Sequence, residues 1–317
     1  MSDINRMWYD DRVKLPPPSS SHSSIFTRSV FESPKHIYNF FDNAVYGHTE
    51  AKRKLSMFLW NILNQNSTGK VLLMLGGTGT GKTELFRRLS QVYKNCTCYD
   101  CSSVTPQGYK GESKLYSALK MIDTKQELPS LVVFDEFDKL IQSGNHGWDS
   151  FQLQSEMLKL CEDGNVNIGT DNEPKFINTK NISFILMGAF TDLLHPVKSN
   201  SIGFTSSNTT EKKVITRTEL KEFGFMPELL GRISDYCVLD SFECDDFYNI
   251  LCDERYSPLC KLSKEYGISI TANDEKRREI ATRAFETGEG IRAMFNEITA
   301  HVNEQLFNDY QRMEITL

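Results

Sequence analysis

The 317-residue sequence has no long hydrophobic run. Its apolar stretches, Val71 to Leu75, Leu131 to Phe134 and Ile182 to Met187, are far shorter than the roughly 20 residues a membrane helix needs. The N-terminal MSDINRMWYDDRVK carries acidic residues and no apolar core, so neither a secretory signal nor a transit peptide is expected. Basic charge is not in excess: 36 Lys and Arg face 42 Asp and Glu, a formal charge of −6. No broad footprint for duplex DNA or an anionic membrane is therefore advertised. Cysteine is sparse, at eight, and none precedes Cys96. A chain of this length is not held by so few disulfides, and a reducing cytoplasm is the expected location. Cys96, Cys98 and Cys101 have no fourth Cys or His nearby, and Cys96-Thr97-Cys98-Tyr99 alternates like a strand, so structural cysteines and no zinc are expected. The six His are too scattered for a metal site or a nucleophile triad. With 39% apolar and 25% charged residues, secreted, membrane, fibrous and disordered classes are set aside.

What is present reads as two folded parts after an arm. Residues 1–34 contain Pro16-Pro17-Pro18 followed by a serine run, a linker composition. Order is expected near Ser33, and Leu55, Phe58, Leu59 and Ile62 fall on one face of a helix starting near Thr49. The three apolar runs alternate with helical patterns such as Glu84 to Tyr93. That predicts an α/β fold whose parallel sheet is covered on both faces. Beyond Asp240 the pattern turns helical, over Asp245 to Lys264, Asp274 to Thr287 and from Ile291, where Ile291, Met294, Phe295, Ile298, Val302 and Leu306 form one stripe. The expected division is arm 1–34, large α/β domain 35–240 and small helical domain 241–317.

Gly76-Gly77-Thr78-Gly79-Thr80-Gly81-Lys82-Thr83 fits G-x-x-x-x-G-K-[ST] between a predicted strand and a predicted helix. Such a loop turns its N–H groups toward phosphate oxygens, and the helix N-terminus behind it adds positive potential. Lys82 is expected on the β- and γ-phosphates and the Thr83 hydroxyl on Mg²⁺. The competing reading is a plain glycine turn. Downstream, Leu131 to Phe134 ends in Asp135-Glu136, carboxylates facing the same crevice. Asp135 is expected to hold Mg²⁺, and Glu136 to orient and deprotonate the attacking water, so ATP would be hydrolysed. The alternative is a pair of solvated acids opening a helix.

DEFDKL after a phosphate loop resembles the AAA+ ATPases, and further stretches resemble one branch, the ClpX protein unfoldases. SPKHIYNFFDNAVYGHTEAKRKLS is similar to the opening of that ATPase module. FQLQSEMLKLCEDG, ISFILMGAF and ELKEFGFMPELLGR follow in family order, so the likeness runs from about Ser33 to about Asn308. The resemblance implies an AAA+ large domain with a helical lid and, as cofactors, ATP and Mg²⁺. It places Val45 and Tyr46 beside the adenine, Arg232 as an arginine finger reaching a neighbouring subunit's γ-phosphate, and Arg292 as a sensor contacting the nucleotide in cis. Gly108, Tyr109, Lys110 and Gly111 match the first pore loop, with Lys110 where the family has an aliphatic residue, and Trp148 falls near a second. Ile202, Gly203 and Phe204 match the tripeptide that docks on the peptidase ClpP.

These matches imply a homo-hexameric, ATP-driven unfoldase that threads tagged or unfolded proteins past Tyr109, the ATPase subunit of a ClpXP-like protease. Single arginines more often form surface ion pairs, a Gly-flanked Tyr can be an ordinary turn, and an Ile-Gly-Phe can pack on its own domain. Departures are equally specific. No counterpart of the family's four-cysteine zinc domain is expected, since residues 1–95 contain no Cys, and 163–181 lacks the basic tripeptide of the channel entrance. A remodelling factor acting on one dedicated complex without ClpP is the alternative. A DNA-directed motor would share the nucleotide site but not the pore or docking motifs.

Overall fold

Each of the three apolar runs alternates its side chains between two cores. In a computed structural model, which describes residues 30–64, 70–106, 114–122, 129–142, 147–169, 173–194 and 215–317, they form the strands β1 (Val71–Leu75), β3 (Ser130–Asp135) and β6 (Ile182–Gly188). Val71, Leu73, Leu75, Val132, Phe134, Phe184 and Leu186 point into one cluster. Leu72, Met74, Leu131, Val133, Ile185 and Met187 point into the other. A strand buried on both faces reads as a continuous apolar run rather than an alternating one.

The sheet is completed by β2 (Cys96–Asp100) and β7 (Ile233–Val238), in the parallel order β2-β3-β6-β1-β7. All five C-terminal ends therefore open on the same edge, where ligand crevices of such sheets lie. One face is covered by α1 (Pro34–Asp42), α2 (Thr49–Leu63) and α3 (Lys82–Val92). Ser33 caps α1 by accepting from the His36 amide at 3.2 Å, and Pro34 opens the helix. Leu55, Phe58, Leu59 and Ile62 of α2 are all buried, as their spacing predicts.

The opposite face carries α4 (Phe137–Gln142), α5 (Gly147–Cys161), α6 (Thr191–Leu194), α7 (Arg217–Phe223) and α8 (Pro227–Arg232). A short 3₁₀ helix, Leu115–Met121, packs there too. Between α5 and β6 the segment with no predicted structure is a small hairpin, β4 (Asn165–Asn167) against β5 (Phe176–Asn178).

The C-terminal part has its own core around Met294, Ile298 and Val302 of α12 (Ile291–Asn308). It also contains α9 (Cys244–Cys252), α10 (Pro258–Tyr266) and α11 (Asp274–Thr287). The single helix expected over Asp245 to Lys264 is two helices. Pro258 has no amide to continue a helix and opens α10 instead. Two strands absent from the sequence reading, β8 (Ser269–Thr271) and β9 (Glu314–Thr316), pair in parallel and tie the chain's last residues to α10.

Candidate functional site

The loop after β1 is folded by its own residues. Gly76 donates to the Gly188 carbonyl of β6 at 3.2 Å, and Thr80 Oγ1 donates to the Gly77 carbonyl at 2.9 Å. A Cβ on Gly76 would stand 2.8 Å from the Leu239 Cβ, so no larger residue fits there. Gly79 and Gly81 take positive φ, +75° and +100°, where side chains are disfavoured. Gly81 caps α3 without a side chain, so the first-turn amides of Lys82, Thr83 and Glu84 are not claimed by a capping group. That is the donor set an anion requires. The Lys82 ammonium donates to the carbonyls of Gly76 and Gly77, the latter at 2.8 Å. Burial pulls its pKa down; Asp135 and Asp138 oppose that, and Arg292 reinforces it. Thr78 and Thr83 are exposed.

Two strands away, Asp135 ends β3 and accepts the Glu136 amide at 2.8 Å. Burial raises its pKa, against the Glu136 amide and Lys82. Glu136 sits at φ +53°, a conformation a non-glycine residue holds only when its surroundings impose it. Its carboxyl is raised by burial first and then by Asp100 and Asp135. Asp100 ends β2 in register with Asp135. Thr83 and Asp135 are oxygen donors of the kind Mg²⁺ takes, completed in such sites by water and phosphate oxygens. Among the described residues no group of three or more His, Cys, Asp or Glu is placed to hold a metal ion. Burial pushes the Cys98 thiol up to about 12 and the Cys96 and Cys101 thiols up as well.

Val45 is buried, and its Cγ1 is 3.3 Å from where a Gly81 Cβ would lie. Its carbonyl accepts from Lys52 Nζ at 2.5 Å, and the same ammonium reaches Asp42 at 2.9 Å. Tyr46 turns toward the C-terminal part, donating to Asp246 at 3.2 Å and packing edge-on to Tyr256. Arg292 is exposed in the first turn of α12, whose Ile291 amide donates to the Gly79 carbonyl at 3.4 Å. A Cβ on Gly79 would lie 2.8 Å from the Gly290 Cα, so the start of α12 rests directly on the phosphate loop.

The fold thus brings Gly76 to Thr83, Asp135, Glu136, Val45 and Arg292 to one edge of the sheet. Arg232 stands apart at the end of α8, half-exposed, bonded to Glu162 at 2.8 Å. Gly108, Tyr109, Lys110, Gly111, Ile202, Gly203 and Phe204, and the Trp148 side chain, lie outside the described residues.

Three participants escape a motif reading. Asp138, 3% exposed, accepts the Ala189 amide at 3.2 Å and fixes the end of β6. His48 bonds the Thr80 carbonyl at 2.7 Å, and Phe242 covers its ring. DEFDKL contained the first signal; the others depend on contacts between distant segments.

The chain is similar to known proteins over most of its length. The family model described as AAA domain (Cdc48 subfamily) matches residues 68–236, more than half the chain. An ATP-dependent Clp protease ATP-binding subunit ClpX of Bacteroides fragilis is 28% identical over 90% of this chain and 80% of its own. A ClpX of Bacteroides thetaiotaomicron is 28% identical over 86% and 76%, and a ClpX 2 of Wolinella succinogenes 26% identical over 91% and 81%. No described helix is long and apolar enough to cross a membrane.

Proposed function

Because the chain belongs to the AAA domain family (Cdc48 subfamily) and is an ATPase, we propose that it spends ATP to unfold and translocate protein chains, as an oligomeric ring related to the ClpX subunits it resembles. Residues 35–240 form the ATPase body and 241–317 its lid. The observation that carries the reading is the meeting of both parts at one phosphate loop, with Gly79 against Gly290 and Arg292 acting on Lys82. A nucleotide bound there bridges two units that can tilt, which is how hydrolysis becomes motion.

The residues divide the work as follows. The amides of 76–83 and the Lys82 ammonium take the phosphate oxygens, and Thr83 and Asp135 would hold Mg²⁺, which would supply charge neutralisation for the phosphates. Glu136, whose carboxylate burial makes a stronger base, receives the proton of the attacking water. Val45 and Tyr46 border the base, and Arg292 senses the phosphates from the lid. Arg232 leaves Glu162 to serve a neighbouring subunit's site. Tyr109, between Gly108 and Gly111 with Lys110, grips the chain in the ring's channel by van der Waals contact. Ile202-Gly203-Phe204 docks a ClpP-like peptidase.

Unfolding of a stable tagged fluorescent protein tests the reading. The wild type is expected to quench it with ATP, Glu136→Gln to bind ATP without turnover or quenching, and Tyr109→Ala to hydrolyse ATP without quenching. Quenching by Tyr109→Ala at the wild-type rate contradicts threading. Co-sedimentation with ClpP that Phe204→Ala abolishes supports the peptidase role; unfolding without co-sedimentation favours remodelling of a dedicated complex.

A further inference from the structure

His48 occupies the N-cap of α2 yet makes no capping bond with its side chain, in a left-handed conformation at φ +54°. Caps normally accept an amide of their own helix. Here the ring is buried, at 4% exposure, and Nε2 lies 2.7 Å from the Thr80 carbonyl oxygen. A carbonyl only accepts, so Nε2 carries the hydrogen. Burial holds the ring's pKa down to about 4, so it is neutral and Nδ1 is a bare acceptor. Nδ1 is itself buried with no partner. A ring that leaves one nitrogen unsatisfied to spend the other on the phosphate loop serves that loop rather than its own helix.

The consequence follows from peptide geometry. In the planar, trans Thr80–Gly81 unit the C=O and N–H point in opposite directions. Pulling the Thr80 carbonyl toward His48 turns the Gly81 N–H away from it. Thr80 cannot adjust freely, since its hydroxyl is bonded to Gly77. Phe242 backs the ring, 4.9 Å between centroids. Phe242 belongs to the segment joining β7 to α9 and also packs on Phe247 of the C-terminal part.

We propose that His48 is a positioning residue for ATP hydrolysis, whose Nε2–H fixes the Thr80–Gly81 peptide so that the Gly81 amide faces the phosphates. The proposal rests on 76–83 being the nucleotide site, which loss of ADP binding in Lys82→Ala checks separately. The Gly81 amide acts alike on bound substrate and transition state, so its misorientation raises KM and leaves kcat nearly unchanged.

His48→Leu keeps the volume and removes the donor; His48→Gln keeps an N–H to offer Thr80. His48→Leu is expected to raise KM for ATP roughly fivefold, the size of one neutral hydrogen bond, with His48→Gln within about twofold of wild type. Equal KM values for the two variants, both normal or both impaired, overturn the proposal. A measurement on the wild type guards against misfolding of the variants. ¹⁵N spectra of histidine-labelled protein are expected to show a neutral ring protonated on Nε2 at pH 7 that shifts when ADP binds. A ring protonated on Nδ1, or one indifferent to ADP, overturns it as well.

Discussion

At the scale of single residues, the edge of the sheet collects groups whose ordinary ionisation is disfavoured by burial. Lys82 is pulled down while Asp135 and Glu136 are pushed up. Each shift marks a charged form that burial leaves poorly solvated, which a charged ligand can stabilise in place of water. His48 has the shift with the plainest effect on stability. In the unfolded chain a histidine takes up a proton near pH 6.5. In the fold, His48 resists until about pH 4, mainly through burial and Lys52, against the Thr80 carbonyl, Asp240 and Asp246. Between those values the unfolded state binds more protons. The contribution of His48 is therefore complete above pH 6.5 and lost as pH falls toward 4, by about 1.4 kcal/mol per unit. Urea titrations at pH 7 and pH 5 are expected to show the wild type losing about 2 kcal/mol more than His48→Gln. Identical losses would mean the ring is not held neutral. No motif exposes such a residue in advance: Gly76 to Thr83 is legible because its chemistry is local, whereas His48 meets Thr80 across 32 positions.

Among the elements, legibility follows burial and length. β1, β3 and β6 are apolar at nearly every position because helices cover both faces, and the sequence announces them. β7 is an edge strand reading Ile-Ser-Asp-Tyr-Cys-Val, with its Asp235 bonded to Lys54, and no apolar run marks it. β8 and β9 have three residues each, and their pairing links positions more than forty apart. The break between α9 and α10 could have been read from Pro258, and it lets Tyr256 donate to the Asp42 carbonyl at 2.5 Å.

The turn opening α12 gives a paired prediction. Gly288 and Gly290 both have φ near +68°, but a Cβ on Gly288 meets nothing within 4 Å, while one on Gly290 stands 2.8 Å from Gly79. Gly288→Ala is expected to cost about 1 kcal/mol of stability through backbone strain, with ATPase activity intact. Gly290→Ala carries about 1–3 kcal/mol of strain and also drives α12, with Arg292, off the phosphate loop. Its ATPase rate is expected to fall at least about tenfold, the size of a lost charged contact. Equal activity in the two variants would mean that this contact is dispensable.

For the whole molecule, the role proposed for Arg232 bears on whether one chain is a complete enzyme. Gly76 to Thr83, Asp135, Glu136 and Arg292 converge within a single chain, while Arg232, the residue before β7, is bonded to Glu162. Both partners of that ion pair are about half-exposed. Such pairs contribute roughly 0–1 kcal/mol, so releasing the guanidinium to a neighbour costs little. If the chain assembles as the proposed ring, each site would need its own Lys82 and the adjacent chain's Arg232, and these two defects would complement across a seam. Arg232→Ala supplies an intact phosphate loop, and Lys82→Ala an intact finger. Each variant alone is expected to be inactive, the first still binding ATP. Mixed in equal amounts before assembly, random neighbours give roughly one quarter of seams with both requirements met, and ATPase activity of that order is expected. The outcome separates the two possible roles, because an arginine that only holds Glu162 acts within its own chain. A mixture no more active than its components would return Arg232 to that role and leave the site without its second subunit.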